Sequence, residues 1–185
     1  MVSQEKLNAM KRLRKEFDDL RENPIANIGV SIGLEDEDNI FDWKYTLMGP
    51  RDTPYNGGLF NLTIHFPDNY PTKPPEVCFR TPIYHVNINP IKSTEKDTES
   101  LGHVCINTLN WWNPEYTMRE VINNIYALFY QGNAESPYGI ERAKEFQNNR
   151  ELFNKKVQYF TQKYASIART EPDDYSKSWD FTYTP

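Results

Sequence analysis

The sequence predicts an α+β fold: an N-terminal helix, a four-stranded antiparallel meander sheet, a long irregular loop segment and three C-terminal helices. Three observations carry this reading. Apolar residues recur at helical spacing near the start of the chain and again after residue 117, whereas the stretch between begins with four runs that alternate apolar and polar residues. The connections between those runs ("EDEDN", "GPRDTPYNGG", "PDNYPTKPPE") are short and rich in proline, glycine or acids. None can hold a crossover helix, so consecutive strands must run antiparallel.

The first helix is marked by Leu7, Met10, Leu13, Phe17 and Leu20, with Ser3 as its N-cap and Asn23-Pro24 as its break. Its other face carries Lys6, Lys11, Arg12, Arg14 and Lys15, which on composition alone reads as a solvated surface. The strands follow as Ile28, Val30, Ile32 and Leu34; Phe41, Trp43, Tyr45 and Leu47; Phe60, Leu62, Ile64 and Phe66; and Val77 with Phe79. From residue 81 to 114 no period holds, and an irregular segment of that length inside a domain is usually functional or disordered. Thr117 and Glu120 form a capping box before Met118, Val121, Ile122, Ile125, Leu128 and Phe129, and Gly132 is expected to end that helix. Ser136-Pro137 can open the next, and Phe153, Val157, Phe160, Tyr164 and Ile167 define the last. After Thr170 the pattern stops. Residues 1–170 thus read as one domain with an inserted polar segment at about 90–101, and residues 171–185 as a short tail, mobile or loosely docked.

Composition narrows the function. A formal net charge of -5 disfavours nucleic acid as the main partner, because neutralising phosphates needs a basic surface. No apolar run approaches the roughly 20 residues that cross a bilayer, so no membrane partner is expected. Two cysteines and no charged-then-apolar leader lead to the expectation of a reducing compartment, cytoplasm or nucleus.

Cys78 falls at a polar-phase position of the fourth strand beside Val77 and Phe79, where packing is its expected role. Cys105 lies instead in the aperiodic segment, in "GHVCINTLNWWNPEYT". A disulfide between the two is disfavoured by a reducing compartment. A metal site is disfavoured as well, since three histidines and two cysteines show no ligand spacing, and no cofactor motif is present. A thiol hydrolase would need a histidine within hydrogen-bond reach of the sulfur. In extended chain His103 and Cys105 would stand roughly 6.5 Å apart, too far for a ready-made pair. His65 and His103 read more simply as partly exposed side chains.

Four motifs in order, "YPTKPPEV" (70–77), "YHVNIN" (84–89), "GHVCINTL" (102–109) and "WNP" (112–114), together resemble those of ubiquitin-conjugating enzymes, with "MGPRDTPYNGG" and "FTQKYA" adding to the likeness. The resemblance runs from about residue 9 to 165 and implies the family's UBC-like fold, with the irregular segment as its active-site loop. It further implies that Cys105 accepts ubiquitin, or a ubiquitin-like modifier, as a thioester from an activating enzyme and transfers it to lysines of substrate proteins. Asn87 matches the motif asparagine credited with donating to the oxyanion or with bracing the loop, and His85 matches a structural histidine of that loop. Trp112 and Pro114 match a loop that ligases grip, and Tyr70-Pro71 a peptide bond that can be cis. Lys11, Arg12 and Lys15 lie on the helix that meets the activating enzyme.

The chain departs from the pattern in several places. Val86 replaces the motif proline, so the loop loses a fixed φ before Asn87. Asn107 stands where an acid is frequent. Thr72 takes a ligase-contacting position that is often bulky and apolar, which favours RING-type over HECT-type ligases. Ser136 replaces an aspartate that orients the incoming lysine, and it can also cap the helix before Pro137. Residues 90–101 replace a short turn with a long polar segment. Besides an active conjugating enzyme, the readings kept open are an interaction module of the same fold without turnover and a thiol hydrolase.

Overall fold

The computed structural model describes residues 2–90, 101–167 and 179–184. The chain opens with α1 (Gln4–Glu22), capped by Ser3, whose hydroxyl accepts from the Lys6 N–H at 3.1 Å. Its buried stripe is Ala9, Leu13, Phe17 and Leu20. Leu7 and Met10, assigned to that stripe from sequence, are each 40% exposed. Steps of four and three residues from Ala9 keep one face toward the core, and the small Ala9 side chain lets the helix approach closely, whereas residues 7 and 10 fall to either side.

The strands β1 (Gly29–Leu34), β2 (Asp42–Met48), β3 (Leu59–His65) and β4 (Glu76–Phe79) form an antiparallel sheet in sequence order, the expected meander. Trp43 pairs with Ile64, Tyr45 with Leu62 and Leu47 with Phe60, so the alternating residues of neighbouring strands share the inner face. The register between β1 and β2 shifts between Gly29 and Ser31, and Val30 is left 50% exposed. An extra residue in a strand flips the phase beyond it, which is why the expected inward position of Val30 fails. The core sits under this face, with Trp43 held between Phe17 at 5.2 Å and Phe66 at 4.6 Å.

Four more helical elements follow: a single turn α2 (Asn107–Asn110), then α3 (Met118–Ala127), α4 (Ile140–Asn148) and α5 (Arg150–Ala165). The capping box at Thr117 and Glu120 is formed as read. The helix it opens stops at Ala127 and not near Gly132, because the N–H groups of Leu128 and Phe129 turn to carbonyls three residues back. Ser136-Pro137 does not open α4; the helix begins at Ile140 with Gly139 as N-cap. Asn149 ends α4 and also caps α5 by accepting the Leu152 N–H, so the two helices meet at one residue. Ile167, placed on the last helix from sequence, lies beyond it and is exposed.

The inserted residues 91–100 and the tail residues 168–178 lie outside the described residues. Residues 179–184 return to α5 as a docked segment. Trp179 is buried and its N–H donates to the Pro90 carbonyl at 3.0 Å. Phe181 packs edge-on against Phe160 at 4.9 Å, Tyr183 against Tyr159 at 5.4 Å, and the Tyr164 hydroxyl donates to the Asp180 carbonyl. The alternation Trp179, Phe181, Tyr183 is itself a period of two, a signal for a docked extended segment.

Candidate active site

Beyond β4 the chain runs buried from residue 81 to 89, and residues 101–105 return between it and β4. The Phe79 N–H donates to Gly102, Gly102 to Asn89, Val104 to Val77, and Cys105 to the Asn87 carbonyl at 2.9 Å. Backbone bonds to both neighbours therefore fix where Cys105 emerges. The approach is tight: Gly102 has φ +80, and a Cβ there would fall 1.9 Å from the Phe79 carbonyl oxygen, so only glycine fits.

His85 is buried, and its ring ties two elements together. The Asn87 N–H can only donate, so Nδ1 accepts it at 2.9 Å, which leaves the proton on Nε2 to donate to the Leu128 carbonyl at 3.0 Å. The early end of α3 is what presents that carbonyl. Burial, the largest cause, together with nearby Arg142, pushes the imidazole down to about 4. Folded His85 thus stays neutral while the unfolded chain takes up its proton near 6.5. Its contribution to stability is whole above that value and is lost as pH falls toward 4, about 2 kcal/mol of it by pH 5. Urea midpoints measured at pH 7 and pH 5 are expected to fall further in the parent than in His85→Gln. Parallel losses would show that His85 is protonated in the fold.

Asn87 is fully buried, and its carboxamide is occupied on all sides. Nδ2 donates to the Asn133 carbonyl at 2.7 Å and the Ser136 carbonyl at 3.1 Å, while Oδ1 accepts the Asn133 N–H at 2.7 Å. The same loop is tied again where the Tyr138 N–H donates to the Val86 carbonyl at 2.8 Å. Val86 itself is fully buried, and a Cβ on Gly132 would meet its Cγ2 at 2.7 Å. Packing and hydrogen bonds thus position Asn87 without the fixed φ of a proline.

The braced loop brings Ser136 to the cysteine. Ser136 Oγ lies 3.6 Å from Cys105 Sγ, and Asn110 Nδ2 donates to the same sulfur at 3.5 Å. Ser136 makes this contact with an exposed side chain and caps no helix. Cys105 is partly exposed. His103 is bonded through Nδ1 to the Tyr138 hydroxyl at 2.7 Å, whereas the side chains described at Sγ are Ser136 and Asn110. Cys78 is buried beside Glu76, and desolvation followed by that carboxylate pushes its thiol up to about 12. It remains a protonated packing group. Among the described residues no cluster of three or more His, Cys, Asp or Glu side chains could hold a metal.

A second group of residues assembles beside the middle of α1. Trp112 Nε1 donates to the Pro71 carbonyl at 2.6 Å, next to Thr72 and the cis Tyr70-Pro71 bond. Arg12 donates to the carbonyls of Pro114 and Tyr116, each at 2.6 Å, and to Glu16 at 2.7 Å. Thr72, Trp112, Pro114 and Arg12 therefore form one continuous surface. Arg12 is a clamp within it, half-buried and occupied, whereas Lys11 and Lys15 remain exposed on the same helix.

Asn110 was not legible as a site residue, because a single helical turn after Cys105 gives no periodic signal. In that turn the Asn110 N–H donates to Ile106 at 3.0 Å and the Trp111 N–H to Asn107 at 2.7 Å, folding the chain back over the sulfur. The comparison with known families agrees with this geometry: a family model described as ubiquitin-conjugating enzyme matches residues 12–161.

Proposed function

The chain belongs to the ubiquitin-conjugating enzyme family, and from this premise we propose that Cys105 carries the C-terminal acyl group of ubiquitin, or of a ubiquitin-like modifier, as a thioester. The observation that supports this most is the setting of its sulfur: partly exposed, fixed by backbone bonds, and flanked by Ser136 and Asn110 on elements braced from beneath. An acyl carrier needs an accessible nucleophile that two large proteins reach in turn. A thiol hydrolase needs a general base at the sulfur, and the nearby histidines serve other groups.

In the forward direction an activating enzyme delivers the modifier to Cys105, and a substrate lysine then attacks the thioester carbonyl. Lysine is protonated near neutrality, at a pKa of about 10.4 in water, so desolvation at the site must favour its neutral form. Asn87 braces the loop that lines the lysine's path, and Ser136 stands on that loop at the sulfur. Lys11 and Lys15 would contact the activating enzyme, and the surface of Thr72, Trp112 and Pro114 a ligase, RING-type more readily than HECT-type because Thr72 offers little apolar area. No helix of the described residues is long and apolar enough to cross a membrane. Action in the cytoplasm or nucleus is consistent with a pathway that depends on ATP in its activating step.

The test is to incubate the full chain with ATP and a panel of activating enzymes, each with its modifier. One modifier is expected to give an adduct that a thiol reductant removes, which also identifies it. No adduct with any modifier would overturn the reading in favour of a module that binds without turnover. Ser136 has its own test. A negative charge at this position would attract the incoming ammonium, so Ser136→Asp, once loaded, is expected to discharge to free lysine several-fold faster than Ser136→Ala. Equal discharge would remove Ser136 from the lysine's path.

A further inference from the structure

We infer that Asn110, and not Asn87, is the side-chain amide that stabilises negative charge on the reacting atoms. The inference deepens the acyl-carrier reading and rests on it for the nature of the acyl group, though the contact with sulfur stands by itself. Asn87 has two amide protons, and carbonyls of residues 133 and 136 accept both. With its oxygen also accepting the Asn133 N–H, the side chain is locked from three directions and buried. It has no donor left to turn toward a substrate.

Asn110 differs on each count. Its Nδ2 already donates to Cys105 Sγ at 3.5 Å, its side chain is exposed, and the α2 turn that follows the cysteine holds it there. In discharge, the lysine nitrogen bonds to the thioester carbonyl carbon and the C=O electron pair moves onto oxygen. That pair then re-forms the carbonyl as the C–Sγ bond breaks. Sulfur departs with the bonding pair as thiolate, and the extra proton on nitrogen passes to water. Negative charge thus gathers first on the acyl oxygen and then on Sγ, two atoms held by the same carbon. An amide whose N–H donates to Sγ serves the leaving thiolate directly, and its second N–H can serve the acyl oxygen held by the same carbon. In loading, the order reverses and the donor favours the attacking thiolate.

The experiment compares the full chain with Asn110→Ala, Asn110→Asp and Asn110→Gln. It reads the rate at which iodoacetamide alkylates Cys105, followed on its peptide by mass spectrometry, and the rate at which the loaded thioester discharges to free lysine. Asn110→Ala is expected to discharge about tenfold more slowly and to alkylate several-fold more slowly, the loss of one hydrogen bond to a charged group. Asn110→Asp should be slowest in both, since it keeps the shape but places a carboxylate at the sulfur. Asn110→Gln keeps the amide and should recover most of the rate, a rescue that a purely structural role would not give. Melting temperatures should not change, because the side chain is exposed. Parent rates in the Ala and Asp variants would overturn the inference. Should no modifier charge the parent, the acyl-carrier reading fails, and alkylation alone decides: the order Asp, Ala, Gln from slow to fast upholds the contact, and equal rates refute it.

Discussion

Cys105→Ala is expected to abolish charging by every modifier, and Cys105→Ser to leave at most a slow adduct that survives thiol. Serine keeps the geometry but offers a weaker nucleophile and a poorer leaving group, so an oxyester forms slowly and resists exchange. Cys78→Ser should charge like the parent, because Cys78 lies buried against Glu76 with its thiol pushed up to about 12. Non-reducing and reducing gels of the variants distinguish these cases. A reductant-sensitive adduct on Cys105→Ala would remove the cysteine from its role.

Much of the fold was readable because its signals are local. The period of two in β2 and β3 survives in a perfect register, and the capping box at Thr117 needs only residues within one turn. What escaped depends on partners far along the chain. The register shift that exposes Val30 is a property of two strands together, and α3 ends early while His85 takes the Leu128 carbonyl 43 residues away in sequence. At the site, motif resemblance pointed to Cys105, Asn87, His85 and Ser136, and the structure brings all of them into one cluster. Bracing the loop was one of two roles offered for Asn87, and which groups it braces was not legible, since its three bonds reach residues 46 to 49 positions away. Ser136 looked like a helix cap from its neighbour Pro137, but Gly139 takes that position and the serine turns to the sulfur.

Those three bonds make Asn87→Ala the second large effect. The substitution leaves the Asn133 N–H and the carbonyls of residues 133 and 136 without a partner that is part of the fold, and opens a cavity where a fully buried side chain was. Each unsatisfied buried group costs about 1–3 kcal/mol, lessened where water reaches it, so a loss of about 3 kcal/mol in stability is expected. With its brace gone, the loop that carries Ser136 moves away from Cys105. Loading and lysine discharge should then both slow, each by on the order of tenfold or more. Chemical denaturation together with single-turnover kinetics checks both statements. A variant of parent stability that loads normally and fails only in discharge would mean that Asn87 acts on the reacting oxygen and not through the loop.

One partly exposed sulfur is expected to carry the acyl group, and mapping the adduct on the digested chain decides it. The parent chain is charged with the modifier that reacts, quenched in acid without reductant, digested and read by tandem mass spectrometry. The modifier's C-terminal residues are expected on the peptide that contains Cys105, and a matched sample treated with thiol should show that peptide bare. The same mass on a Cys78 peptide, or on a lysine and stable to thiol, would contradict the account.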